Sequence, residues 1–227
     1  MNSNHFSLLR RALVAGVAVA AIAGQSWAQS APRVKFVTTA GDFVVEVYPD
    51  KAPKTVENFL QYVKDKHYDG TIFHRVINDF MVQGGGFSTT YEEKKTRSAV
   101  PHEGREALAK GLKNVVGTLA MARTNDPQSA TAQFFINIKD NAFLDPTLIP
   151  PGDPVPKFEY QGRVYENTPR ASLINAPQLF GYTVFGKVVS GMDIVNKIKM
   201  LPTGAGGPFP SDVPKTPIVI TSATLVK

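Results

Sequence analysis

The 227-residue chain contains no cysteine, which removes disulfides, thiol nucleophiles, thiolate metal sites and a lipid-modified N-terminal Cys from consideration. Histidine is scarce, at four residues. Once a leader is set aside, His67, His74 and His102 remain, too scattered for a metal-ligand spacing, and they read as structural. No metal and no cofactor is expected. Positive charge is not concentrated either. The densest basic run, Lys94-Lys95-Thr96-Arg97, has Glu92-Glu93 beside it and reads as a solvated loop rather than a nucleic-acid contact. Gly84-Gly85-Gly86 lacks the strand-to-helix context of a phosphate loop. No Ser-His-Asp order or pair of carboxylates stands out.

Among the features present, the first is a leader. Arg10 and Arg11 form a positive start, residues 12–23 an apolar stretch, and Ser26-Trp27-Ala28 a small-x-small end, the pattern of an export signal cleaved after Ala28. Its apolar run is too short to span a bilayer comfortably and no second one follows. The expected mature chain, residues 29–227, therefore carries no membrane span. Its 199 residues suit one domain with a sizeable core. The leader holds two of the 25 basic residues and none of the 19 acidic ones, so the excess falls from +6 to +4. That modest excess serves solubility rather than nucleic-acid binding. A monomer in the periplasm is expected.

Val34, Phe36 and Thr38, then Phe43, Val45 and Val47, alternate as on two strands, with Gly41-Asp42 as the hairpin turn. Pro53 suits the first turn of a helix on which Val56, Phe59, Leu60 and Val63 form one stripe. Residues 88–113 read as a surface excursion, with helix-forming composition at 103–110. Runs at 115–122, 133–138 and 184–189 have strand length. Residues 191–199 repeat the helical stripe with Ile194, Val195 and Ile198, and 217–226 supply a last strand after a Gly/Pro-rich bend at 204–214. Many short strands with two helices argue for a closed antiparallel barrel. The segment 146–180 has seven prolines and no sustained period, so it reads as a long loop inserted at the surface. A sharper reading makes it a lid carrying Phe158, Tyr160 or Tyr165 toward a peptide groove.

The stretch 73–87 mixes large apolar side chains with one cation and one amide. Phe73, Arg75 and Ile77 share parity and are expected on one face of a strand. Asn78-Asp79 reverses the chain before Met81 and Gln83, which predicts a concave apolar surface edged by a guanidinium and a carboxamide. Alone, this is a hydrophobic hairpin with a solvated Arg. Ala120-Met121-Ala122-Arg123-Thr124 and Ser129-Ala130-Thr131-Ala132-Gln133-Phe134-Phe135-Ile136-Asn137 repeat the theme of polar tips among aromatics. Together with Phe143-Leu144-Asp145 and Tyr182-Thr183-Val184-Phe185-Gly186-Lys187-Val188, these motifs resemble the cyclophilin family of peptidyl-prolyl cis/trans isomerases. In order and spacing they are most similar to its exported bacterial members. The resemblance runs from Val34 to the C-terminus and is interrupted by the insertion at 146–180.

The resemblance implies a mainly β fold, an eight-stranded closed antiparallel barrel capped by two α-helices. It implies a peptidyl-prolyl cis/trans isomerase that rotates Xaa-Pro bonds of unfolded or partly folded exported polypeptides by non-covalent stabilisation of the twisted amide. Arg75 matches the catalytic arginine, and Gln83 the glutamine that holds the substrate carbonyl side and orients the arginine. Phe80, Met81, Phe135 and Leu144 match the proline pocket. Ala122, Arg123 and Gln133 match the groove lining, with main-chain groups of 122 and 123 pairing with an extended substrate and the bulky Arg123 side chain directed outward. Phe143 stands where the best-known eukaryotic pattern has Trp, and Tyr182 where it has His. Both are expected at the substrate, and the lost indole N–H argues against strong cyclosporin binding. The alternative is a proline-segment binding module or holdase with little turnover.

Overall fold

Period-two alternation decides which side chains meet the core. In the computed structural model, which describes residues 31–226, β1 (Arg33–Thr38) and β2 (Gly41–Val47) bury Val34 and Phe36, and Phe43, Val45 and Val47. The leader expected at residues 1–28 lies outside the described residues. The hairpin turn falls at Thr39-Ala40, two residues before its expected place, because Thr38 and Gly41 still pair. The Thr38 hydroxyl holds the reversal, donating to the Gly41 carbonyl and accepting from the Ala40 N–H.

Helix α1 (Pro53–Lys64) buries Val56, Phe59 and Val63. Three short strands follow: β3 (Thr71–Ile72), β4 (Arg75–Ile77) and β5 (Met81–Gly84). Next come α2 (Gly104–Ala109), β6 (Thr118–Met121) and β7 (Phe134–Asn137). After the 146–180 segment come β10 (Val184–Ser190), α4 (Met192–Lys199) and β13 (Val219–Leu225). That segment contains β8 (Val155–Tyr160), β9 (Arg163–Thr168) and α3 (Arg170–Ile174), and a hairpin of β11 (Thr203–Gly206) and β12 (Phe209–Pro214) precedes β13.

Nine strands form one sheet in the order β3-β13-β1-β2-β10-β6-β7-β5-β4. The edge strands β3 and β4 are separated in the chain by Phe73 and His74 alone, so the sheet curls until both edges meet in one run of chain. Across that seam the Ile72 N–H donates to the Phe87 carbonyl (2.9 Å), while the Phe73 N–H donates to the Ile218 carbonyl (3.0 Å) and extends the β3–β13 pairing. The sheet has nine strands where eight were expected, with an irregular pair at Phe73-His74 between β3 and β4. The break also corrects the expected parity. Phe73 is buried and packs on Phe43 and Phe134, whereas Arg75 is exposed, because the irregular pair between β3 and β4 resets the alternation.

The core is aromatic. Phe36 stacks on Phe43 at 5.0 Å, Phe59 meets Phe185 at 5.1 Å, and Tyr68 packs edge-on to Phe134 at 5.5 Å while donating its hydroxyl to the Ala132 carbonyl. Each such ring contributes about 2–3 kcal/mol of burial.

The 146–180 segment differs from the expected loop. Its β8 and β9 pair as a hairpin, and Val155, Phe158, Leu173 and Leu179 form a small separate core, with Tyr160 and Tyr165 packed against it. Phe158, Tyr160 and Tyr165 thus face their own segment rather than a groove, since short apolar runs between prolines pair with one another. The 204–214 bend is likewise corrected to the β11–β12 hairpin.

The start of α1 is secured from a distance. Ala52 provides no side-chain cap, and the buried Glu103 carboxylate instead accepts from the Lys54 N–H (3.1 Å) and the Thr55 N–H (2.8 Å). A charged acceptor here satisfies orphan donors and complements the helix dipole. Replacing Glu103 with Ala is expected to cost about 2 kcal/mol in urea unfolding. A loss below ~0.5 kcal/mol would show that the cap is dispensable.

Candidate active site

The register across three strands builds the site. Arg75 pairs with Gln83, and Gln83 with Phe135. These three residues share the outer face of the sheet, while their neighbours Val76, Val82 and Ile136 are buried on the inner face. Asn78-Asp79 makes the turn between β4 and β5, as the sequence predicts, with Asp79 at φ 57°. Beyond β5, Gly85 takes φ +85°, and a Cβ there would stand 2.9 Å from the Tyr68 ring. Only glycine lets the backbone leave the strand so close to the core.

Nine of the eleven expected residues line one small cavity of about 90 Å³: Arg75, Phe80, Met81, Gln83, Ala122, Arg123, Phe135, Leu144 and Tyr182. The size suits a single ring rather than a large ligand. Met81, Phe135 and Leu144 are buried, while Arg75 is exposed. Tyr182 stands edge-on to Phe135 at 5.4 Å.

The remaining two lie beside it. Gln133 lines an adjoining cavity of about 190 Å³ that shares Gln83, Ala122 and Arg123 with the first. Phe143 is 67% exposed and stacks on Phe80 at 5.7 Å. A larger groove, about 620 Å³, lies between α1 and β13 and contains none of the expected residues.

Three details depart from expectation. Gln83 donates its amide to Gln133 Oε1 (3.0 Å), so its side chain is tied to the neighbouring groove residue instead of to Arg75. The Arg123 side chain does not point outward. Its guanidinium lies 4.7 Å from the Tyr182 ring centroid, its Nε donates to the Gly181 carbonyl (2.9 Å) and its Nη1 to the Thr124 carbonyl (2.8 Å). Stacking on an aromatic and filling two acceptors satisfies the bulky cation within the wall. The Ala122 N–H is already taken by the Gln133 carbonyl (3.0 Å), which removes it as a donor to a bound peptide.

Sequence reasoning missed the groups that hold the walls. Asn141 Nδ2 donates to the Phe80 carbonyl (2.9 Å) and to Asn137 Oδ1 (2.8 Å). Asn137 Nδ2 in turn donates to Asn114 Oδ1 and Thr118 Oγ1. Asn114 donates its backbone N–H and its amide to Asp145 Oδ1. The Leu144 N–H donates to the Asn141 carbonyl, and the Tyr182 N–H to the Leu144 carbonyl. One buried amide therefore links the Phe80 side of the cavity to the Leu144 side. The available signal was Asn137, a carboxamide ending an otherwise apolar strand run.

His74, beside Arg75, is 2% exposed, and its Nδ1 has no hydrogen-bond partner. It sits against Phe87 at 4.7 Å and Phe209 at 5.3 Å. Burial lowers its pKa from 6.5 to about 4, with the Arg75 charge adding to the shift and the Ile72 backbone opposing it. His102 is lowered to about 4 as well, again by burial first. Among the described residues no group of three or more His, Asp and Glu is arranged to hold a metal.

The curled sheet and the cavity that joins a guanidinium to a ring-sized apolar notch define a mainly β protein with a small surface pocket. The family described as cyclophilin type peptidyl-prolyl cis-trans isomerase/CLD matches residues 33–225. The chain is 47% identical over 193 residues to peptidyl-prolyl cis-trans isomerase cyp18 of Streptomyces antibioticus, covering 85% of this chain and 98% of that one. It is 44% identical over 192 residues to peptidyl-prolyl cis-trans isomerase B of Escherichia coli, with the same coverage. A crystal structure of a Cryptosporidium parvum cyclophilin superposes with a TM-score of 0.55 at 22% identity, covering 87% of this chain and 98% of that one, which speaks for the fold. The chain belongs to the cyclophilin-type peptidyl-prolyl cis-trans isomerases, enzymes that rotate Xaa-Pro bonds.

The buried imidazole makes stability depend on pH. The unfolded chain takes up the His74 proton near pH 6.5, whereas the folded chain resists it until about 4. Stability is therefore full above pH 6.5 and falls as pH drops through that window. This group alone accounts for about 3 kcal/mol. His74→Phe keeps an aromatic against Phe87 and Phe209 and is expected to remove its share of the decline in urea unfolding between pH 6.5 and 4, leaving the share owed to His102. An unchanged slope would place its origin elsewhere.

Proposed function

We propose that the protein catalyses cis-trans rotation about Xaa-Pro bonds during folding of exported polypeptides in the periplasm, with Arg75 as the electrostatic catalyst. Such a bond rotates over a barrier of about 18–20 kcal/mol because twisting breaks amide resonance. Reaching the millisecond range from tens of seconds requires about 5–7 kcal/mol of selective stabilisation of the twisted state. Twisting returns a lone pair to the prolyl nitrogen. A guanidinium donor beside that nitrogen binds the twisted form better than either planar isomer, at any working pH.

The observation that carries the reading is the shared cavity of Arg75 with Met81, Phe135 and Leu144. The buried apolar walls receive the prolyl ring and hold it while the preceding carbonyl swings. Arg75, on the outer face at the cavity, is free to meet the nitrogen. Gln83, tied to Gln133, presents its remaining amide capacity to the substrate carbonyl. Ala122, Arg123 and Tyr182 form the opposite wall, and Phe143 offers an exposed ring along the approach. No covalent step is involved, and no group has to change protonation state.

The test is a peptide isomerisation assay on wild type and Arg75→Ala. Turnover is expected to fall at least about a hundredfold, with peptide binding retained. Activity kept within a few fold would refute the role of the guanidinium. A wild type that binds proline peptides without turnover would favour a binding module or holdase.

A further inference from the structure

We propose that His102 and Arg105, neither of which touches the cavity, are positioning residues that fasten both ends of the 146–180 insertion and thereby hold the Arg123–Tyr182 wall in place. The Gly181 carbonyl is the point of contact. It accepts from Arg123 Nε (2.9 Å) and faces His102 Nε2 at 3.3 Å. His102 Nδ1 accepts from the Gly104 N–H (3.1 Å), which fixes the tautomer with its proton on Nε2, directed at Gly181. One carbonyl is thus shared between the pocket wall and a histidine on the entry to α2.

Gly181 is itself tightly constrained. It takes φ +60°, and an added Cβ would meet Pro146 N and lie 2.6 Å from the Leu144 carbonyl oxygen. The last residues of the insertion are therefore pressed against its first residue and against a wall of the cavity. Arg105 completes the joint. Its Nε donates to the Thr147 carbonyl (3.2 Å) and its Nη1 to the Ile174 carbonyl (2.9 Å), while its guanidinium lies 4.6 Å from the Phe180 ring centroid. A planar cation that fills carbonyls at both ends of an insertion clamps it as three separate lysine donors could not. Because the segment has its own small apolar core, it holds together without the joint, so loosening its base would shift Gly181 and with it Arg123 and Tyr182.

This inference rests on the isomerase reading for its kinetic readout only. The wall grips substrate in planar and twisted states alike, so its loss should raise KM with little change in kcat. That pattern is the opposite of the one expected for Arg75. In His102→Ala and Arg105→Met, KM for a proline peptide is expected to rise about tenfold with kcat within twofold. The Arg123 Nε–H resonance is expected to exchange slowly in the wild-type protein, and it should broaden or shift in both variants. His102→Gln can still donate to Gly181 and should restore KM and the resonance. Unchanged KM and resonance in His102→Ala, a Gln variant that behaves like Ala, or a fast-exchanging Arg123 Nε–H in wild type would each overturn the proposal. Should wild type lack turnover, the isomerase reading fails, while the resonance in wild type and His102→Ala still decides the joint.

Discussion

The register that sets Arg75 opposite Gln83 and Gln83 opposite Phe135 is the constraint on which the site depends. A slip of one residue would turn Val76, Val82 and Ile136 out to solvent and carry the site residues into the core. The aromatic interior prevents it. Phe134 on β7 packs against Phe36, Phe59, Tyr68 and Phe73, so its neighbour Phe135 has no choice but the outer face. The polar groove is in this sense the reverse side of core burial.

Apolar burial does not reach the loops that wall the cavity, and polar groups hold them instead. Asn114, Asn137 and Asn141 are all buried, and each finds partners in the others, in Asp145 or in the Phe80 backbone. Glu103 caps α1 from 48 residues away in sequence, as counted from Thr55, and its own N–H meets Thr183 Oγ1 (3.3 Å). Such bonds each contribute only about 1 kcal/mol net, but leaving any partner unpaired in the interior costs more. That asymmetry makes the network directional: it permits one arrangement of the walls and penalises the rest.

The alternating strands, the α1 stripe of Val56, Phe59 and Val63, and the Asn78-Asp79 reversal were legible because each is a local pattern with a fixed period. The motif residues of the cavity were legible through family resemblance, and nine of them share it. What failed was non-local. Phe73 and Arg75 have the same parity in the chain yet lie on opposite sides of the sheet, because the run between β3 and β4 serves two edges at once. The 146–180 segment looked structureless because its apolar residues are few and spaced by proline. They suffice once Val155 and Phe158 meet Leu173 and Leu179. Arg123 looked too bulky for a wall, a judgement that omitted the Tyr182 ring and the Gly181 carbonyl which receive it.

By itself the sequence determined a cysteine-free, mainly β chain with two amphipathic helices, and the residue types that its pocket needs. Side-chain chemistry and periodicity are written locally, so a reader of residues can find them. Only the tertiary structure decided that a carboxylate at 103 caps a helix beginning at 53, and that one glycine carbonyl serves both His102 and Arg123. It also decided that the two edges of the sheet belong to a single run. Those outcomes follow from backbone donors and acceptors seeking partners once the core has collapsed, and which partner lies within hydrogen-bonding reach is set by the whole fold at once.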